Sequence, residues 1–308
     1  RFEMNSVSKN LINDFLLYLK HEMNFSKHTI KAYAYDLTCF FSFLNEYDSS
    51  MSINIKKIDK TAIRHFLAKE YEDGKSTKTR GRRLASIRSL FKYLILTEDY
   101  KDNPAMYVGK PKTIKHLPKF VHEQDIDKLM EMPEASTVIG QRDRAILEMF
   151  YATGIRLSEL VGLNITSVDF NESFIKVYGK GKKERIVPFG KKAKEALQIY
   201  LKNRELSYLS DRGIPLFTSN RGNRVSVRTV QERLYKYLKS IIGDKGASPH
   251  TLRHTFGTHL LDNDADIRSI QELLGHSSIS STQVYTSVNP EKIKKIYKNA
   301  HPHASLKG

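Results

Sequence analysis

A single cysteine, the lack of any long apolar run and a shortage of acidic residues frame this 308-residue sequence. One cysteine excludes a disulfide within the chain and a Cys-rich zinc site. Cys39 lies in the apolar stretch Leu37-Thr38-Cys39-Phe40-Phe41 and reads as a small core residue rather than a nucleophile. No uninterrupted apolar run approaches the ~20 residues that a spanning helix needs, and no apolar segment of secretory type opens the sequence. Together these absences predict a reducing, cytoplasmic setting and no membrane partner. Lys and Arg number 51 against 34 Asp and Glu, a formal net charge of +17. Such an excess favours a polyanion, and with membrane set aside the candidate is nucleic acid. There is no carboxylate cluster to hold a metal, no internal repeat and no low-complexity tract.

What is present suffices for two domains. Hydrophobic residues make up 40% of the chain, and the length is about twice the ~150 residues of a typical domain. The first third reads as helices. Ser26 is placed to cap a helix with Ile30, Tyr33, Leu37, Phe40, Phe41 and Leu44 at spacings of three and four. Asp59 is placed to cap another with Ile63, Phe66 and Leu67 inward, and Leu84, Ile87, Leu90, Phe91 and Leu94 mark a third. Asn103-Pro104 reads as an N-cap with proline at the first helical position. The opposite face of the Leu84 helix carries Lys78, Arg80, Arg82, Arg83, Arg88 and Lys92, a basic run expected to contact DNA phosphates.

Periodicity lapses between Val108 and Phe120, where two prolines, a glycine and several lysines predict an interdomain linker. The division expected is therefore residues 1–107, a basic linker at 108–119, and residues 120–308. The second part is mixed. Helical patterns cover Glu123–Met132, Arg142–Thr153 and Lys191–Asn203. Strands are expected at 173–178 and 184–188, with Gly179-Lys180-Gly181-Lys182-Lys183 as a hairpin turn. After Ser226 the chain is again helical, with a helix Ile267–Leu274 started by Asp266 and ended by Gly275.

The last third also concentrates the chemistry. Pro249-His250-Thr251-Leu252-Arg253-His254, Leu274-Gly275-His276-Ser277 and Tyr285 follow one another, and upstream stand Arg156 and Lys180. Phosphoryl transfer needs charge stabilisation on the non-bridging oxygens, an aligned nucleophile and a proton for the leaving oxygen. Arginine suits the first task because its planar fork binds two phosphate oxygens and stays charged. Arg156 follows a helix end at Gly154, and Arg253 lies three residues after His250 on the same helical face. His250 is a candidate for proton transfer or phosphate binding. His254 and His259 are assigned packing roles. His276 follows a glycine that lets the backbone turn. Lys180 stands between two glycines at the turn. Tyr285 is the candidate nucleophile, with Tyr297 its nearest competitor. A free phenol titrates near ~10, so attack at neutral pH requires neighbouring positive charge or a base.

In order and spacing this set resembles the tyrosine recombinase (phage-integrase) family, most nearly its Xer-type members. The matching stretches are Ala152–Leu160, Gly179–Arg185, Ser248–Thr255, Leu274–Ser277 and Thr282–Thr286, with Phe25–Tyr33 similar to the start of the family's core-binding domain. The resemblance implies a mainly α fold with a small antiparallel β-sheet. It would comprise a helical, SAM-like core-binding domain and a mixed α+β catalytic domain, clamping a duplex from opposite sides. It implies that Tyr285 forms a 3′-phosphotyrosyl link and that Lys180 protonates the departing 5′ oxygen. Arg156, Arg253 and His276 would hold the non-bridging oxygens, and His250 would act as acid/base. Glu159 matches a supporting acidic position. No cofactor, ATP or metal is implied. The partners implied are a double-stranded recombination site, further copies forming a tetramer on DNA or a paralogous recombinase, and a DNA translocase as activator. After Tyr285, Asn289–Tyr297 reads as an amphipathic helix; in the family such a tail packs on a neighbouring protomer, and docking on its own domain is the alternative.

Xer-type resolution of chromosome or plasmid multimers, a role in chromosome partition and cell division, is the expected function. Three alternatives stand beside it: integrase of a mobile element, type IB topoisomerase, and an architectural DNA-binding protein without catalysis.

Overall fold

Short polar side chains start several helices of this protein, Ser26 and Asp59 at the positions expected. In the computed structural model, which describes residues 5–97, 100–112, 119–178, 184–204, 213–244, 246–275 and 297–304, the Asn5 side chain accepts from the Ser8 N–H, Ser26 from Thr29, and Asp59 from Ala62. Each satisfies a donor that a helix start leaves without an intrahelical partner. The chain forms two compact units, residues 1–116 and 117–308.

The first unit is helical: α1 (Ser6–His21), α2 (Lys27–Tyr47), α3 (Ser49–Ile53), α4 (Lys60–Glu72) and α5 (Thr77–Thr97). Its core is aromatic, with Phe15, Phe40, Phe41, Phe66 and Phe91 buried beside Leu37, Leu84 and Leu94. Phe40 meets Phe66 edge-on at 5.2 Å between centroids. Cys39 is buried among them. Val108, where periodicity lapses in the sequence, also belongs to this core.

The basic run on α5 differs from the expectation of one DNA-facing surface. Arg83 is buried and pairs with Glu70 at 2.6 Å and Asp36 at 3.7 Å. Arg82 pairs with Asp36 at 2.6 Å. Arg88 donates to the carbonyls of Ala105 and Val108, tying down the 3₁₀ turn Pro104–Tyr107. Arg80 lies over the Tyr71 ring. Only Lys78 and Lys92 of the run are plainly exposed without such a structural contact. The cause is the width of the buried face: α5 packs on both α2 and α4, whose carboxylates draw the adjoining arginines inward.

The second unit holds α6 (Glu123–Glu131), α7 (Val138–Thr153), α8 (Leu157–Gly162), α9 (Lys191–Asn203), α10 (Val227–Ile242), α11 (Pro249–Asp262) and α12 (Ile267–Leu274). A three-stranded antiparallel sheet, β1 (Val168–Asp169), β2 (Phe174–Tyr178) and β3 (Glu184–Pro188), pairs in sequence order with Lys176 opposite Ile186. α7 begins earlier than its apolar periodicity predicts because Thr137 caps it, accepting from Gly140 N–H. It is the central helix, buried from Ala145 to Thr153 and packed against α6, α9, α10 and α11. Asp143 at its start is buried and receives Arg142, Arg233 and the Tyr237 hydroxyl.

The end of the chain docks on this same unit. Tyr297 and Ala300 are buried against Phe256, Leu260, Ile270 and Leu273 of α11 and α12. The ring of Tyr297 stacks on His301, and the His303 carbonyl lies where a side chain on Gly190 would collide. Of the expected tail helix, the residues before Tyr297 lie outside the described set.

Candidate active site

The site begins where α7 stops. Gly154 takes a left-handed conformation, φ +55, and a Cβ there would lie 2.3 Å from the Phe256 ring. Only glycine fits that turn without strain. The reversal puts Arg156 at the N-cap of α8 with extended backbone. Glu159, one turn on, reaches back: its Oε2 accepts the Arg156 backbone N–H at 2.8 Å and its Oε1 accepts Arg156 Nη1 at 3.0 Å.

α11 supplies the second arginine. Arg253 donates from Nη1 to the Gly154 carbonyl at 2.5 Å and from Nη2 to the Leu274 carbonyl at 2.6 Å. Arg156 Nη2 donates to the next carbonyl, Gly275, at 3.1 Å. Two guanidiniums thus seat on adjoining carbonyls at the end of α12, where helix carbonyls lack intrahelical partners and the dipole favours cations. Gly275 makes this exit possible, in the left-handed region at φ +64. A guanidinium carries five N–H groups, so each arginine keeps donors beyond those seated here.

A third arginine completes the cluster. Arg185 on β3 grips Glu159 with both prongs, at 2.9 and 2.8 Å. Burial pushes the Glu159 carboxyl up, but bonds from Arg185 and Arg156 outweigh it and hold the group below its usual value. Burial, together with Arg156 and Arg185 nearby, brings Arg253 down to about 10, so it remains charged at neutral pH. Three guanidiniums gather about one carboxylate that two of them bond, and the excess positive charge suits an anion with several acceptor oxygens, such as a phosphate.

Comparison with known proteins places this geometry. Residues 119–292 match the phage integrase family, and residues 12–98 match its N-terminal SAM-like domain. The chain belongs to the phage integrase family. It is 45% identical to the tyrosine recombinase XerC of Thermodesulfovibrio yellowstonii, over 94% of this chain and 96% of that protein. With XerC of Bacillus licheniformis the identity is 40%, over 96% and 97%. Among solved structures, the XerH recombinase in a post-cleavage complex with palindromic difH substrate superposes with a TM-score of 0.71 at 21% identity, covering 96% of this chain and 94% of that one. That last likeness concerns the fold. The protein is therefore a tyrosine recombinase of Xer type, an enzyme of DNA cleavage and rejoining.

Of the residues singled out in this recombinase, the structure brings Arg156, Arg253 and Glu159 together. His250 is exposed at the start of α11, one turn before Arg253. Lys180, His276 and Tyr285 lie outside the described residues. Tyr297, the rival nucleophile, is buried, and burial raises its phenol well above the ordinary value. His259 packs as expected, its Nδ1 2.9 Å from the Tyr151 hydroxyl. His254 does not: it is exposed, because α11 buries Thr251, Leu252, Thr255, Phe256 and His259 on its other side. Arg185 went unassigned in the sequence, although it closes one of the matching stretches. Among the described residues no group of His, Cys, Asp and Glu side chains converges as a metal site, and no helix is long and apolar enough to cross a membrane.

Proposed function

We propose that this recombinase cuts DNA with Tyr285 and resolves chromosome or plasmid multimers. The observation that carries the chemistry is the seating of Arg156 and Arg253 on adjoining carbonyls of Leu274 and Gly275. Both forks are fixed before substrate arrives, so the charge developing on a scissile phosphate would meet preorganised donors. His276 follows Gly275 directly and would complete the set of groups on the non-bridging oxygens.

In the reaction, the Tyr285 phenol loses its proton to His250 and attacks phosphorus. A 3′-phosphotyrosyl bond forms while the bond to the 5′ oxygen breaks, and Lys180 gives that oxygen its proton. The energy of the diester is kept in the new link, so a second strand's 5′ hydroxyl reverses the step and exchanges strands without ATP. Cations held beside a phenol favour its phenolate, which attacks more readily than the phenol. The natural substrate is a duplex recombination site, bound by a tetramer of this chain or by a mixed assembly with a paralogue in the cytoplasm, with a translocase as activator. Relatives named XerC at 40–45% identity over nearly the whole chain support this assignment. Likenesses to a transposon integrase and to lambda integrase lie at 21% identity or below and bear on the fold alone.

The test is a nicked suicide duplex carrying candidate sites from the source genome, incubated with the protein in EDTA. A covalent protein–DNA band on a denaturing gel, absent with Tyr285→Phe, is the expected result. A band that survives in Tyr285→Phe contradicts the assignment of the nucleophile.

A further inference from the structure

The geometry points to Arg185 as a positioning residue that keeps Arg156 available for the phosphate. Arg185 is the second residue of β3 and follows Lys180 by five positions in the sequence. Its side chain is 18% exposed and that of Glu159 is 5% exposed, so the pair is largely withdrawn from water. Each Glu159 oxygen accepts two bonds. Oε1 takes Arg185 Nη1 and Arg156 Nη1, and Oε2 takes Arg185 Nη2 and the Arg156 backbone N–H. The carboxylate is thus shared, and the parallel, two-pronged share belongs to Arg185.

That division matters because a buried carboxylate competes with phosphate for the same guanidinium. With Arg185 absent, the buried Glu159 carboxylate would keep only the half-exposed Arg156 as a hydrogen-bonded cation, and its charge would act on that guanidinium without the offset of a second one. Arg156 would be drawn towards its own helix and away from the scissile group. Arg185 offsets the carboxylate and leaves the second charge for substrate. A further contact supports the same role. A Cβ on Gly275 would lie 3.0–3.2 Å from the Arg185 guanidinium, so the Arg185 fork fills the space that glycine leaves before His276. Arg185 therefore joins the strand beyond Lys180, the Glu159–Arg156 pair and the exit of α12.

The inference rests on the phosphate-binding role proposed for Arg156. Its test uses the full chain and the suicide duplex, with single-turnover cleavage and DNA affinity measured separately for wild type, Arg185→Met, Arg185→Lys, Glu159→Gln and the Arg185→Met/Glu159→Gln double variant. Arg185→Met is expected to slow cleavage by roughly 10- to 100-fold, the range of coupled buried pairs, while affinity stays within about twofold because many other cations bind the backbone. Arg185→Lys, which keeps the charge and loses the fork, is expected to fall between the two and guards against misfolding of the Met variant. The double variant is expected to cleave no more slowly than Arg185→Met alone, since the carboxylate to be offset has gone. Arg185→Met at the wild-type rate, or a double variant slowed by the product of the two single effects, overturns the role of Arg185. Absence of the Tyr285-dependent adduct in wild type overturns the functional reading beneath it.

Discussion

Single residues set the geometry of this site, and Gly154 shows how narrowly. Its left-handed backbone costs a side-chain-bearing residue about 1–2 kcal/mol, and the contact of a Cβ with Phe256 adds about 1–3 kcal/mol of overpacking. Gly154→Ala is expected to lower stability by that sum in urea unfolding. Cleavage should fall too, because the Gly154 carbonyl seats Arg253. Unchanged stability and cleavage in this variant would contradict the seat described here. Arg156 and Arg253 were legible because a helix-ending glycine stands two residues before one and a histidine one turn away accompanies the other. Arg185 was not, since an arginine in a strand is by default a surface residue and nothing local announces its carboxylate 26 positions earlier. The exposure of His254 was open to the same periodicity that buries Leu252, Phe256 and His259.

Whole elements carry the next contrasts. On α5 the basic run divides by partner. Arg83→Met removes the cation between Asp36 and Glu70, and breaking such a buried pair costs about 3–5 kcal/mol. Thermal melting of the variant is expected to show that loss, whereas Lys78→Ala and Lys92→Ala should melt as wild type and weaken only DNA binding. Equal melting of all three would restore the simple basic face. The sequence showed where α5 lies and which side is apolar, but not how far the buried face extends, because that depends on carboxylates from α2 and α4.

The docked tail has a pH dependence of known sign. Burial first, then His303 and His259 nearby, brings His301 down to about 3. A free histidine titrates near ~6.5, so below that pH the undocked chain takes up a proton that the docked one refuses. Docking is at full strength above ~6.5 and weakens by up to ~1.4 kcal/mol per pH unit as the pH falls towards 3. Amide exchange of residues 297–304, corrected for intrinsic rates, is expected to lose protection between pH 7.5 and 5.5. Constant protection would show that His301 is not held neutral.

At the scale of the molecule, charge and division into two units dominate. With a net charge of +17, affinity for duplex DNA is expected to drop roughly 10³- to 10⁵-fold between 50 and 200 mM salt if 6–10 phosphates are neutralised. A shallow salt dependence would mean few phosphate contacts. The helical first part and mixed second part were legible from periodicity and from the lapse after Val108. Chain-end docking was not, because an amphipathic pattern does not name its partner surface. The central claim is covalent attack by one tyrosine on a phosphate held by Arg156 and Arg253. Its most direct test is mass spectrometry of the protease-digested adduct between the full chain and a suicide duplex. A nucleotide remnant is expected on the peptide containing Tyr285. A remnant on Tyr297 or on any other residue would contradict it.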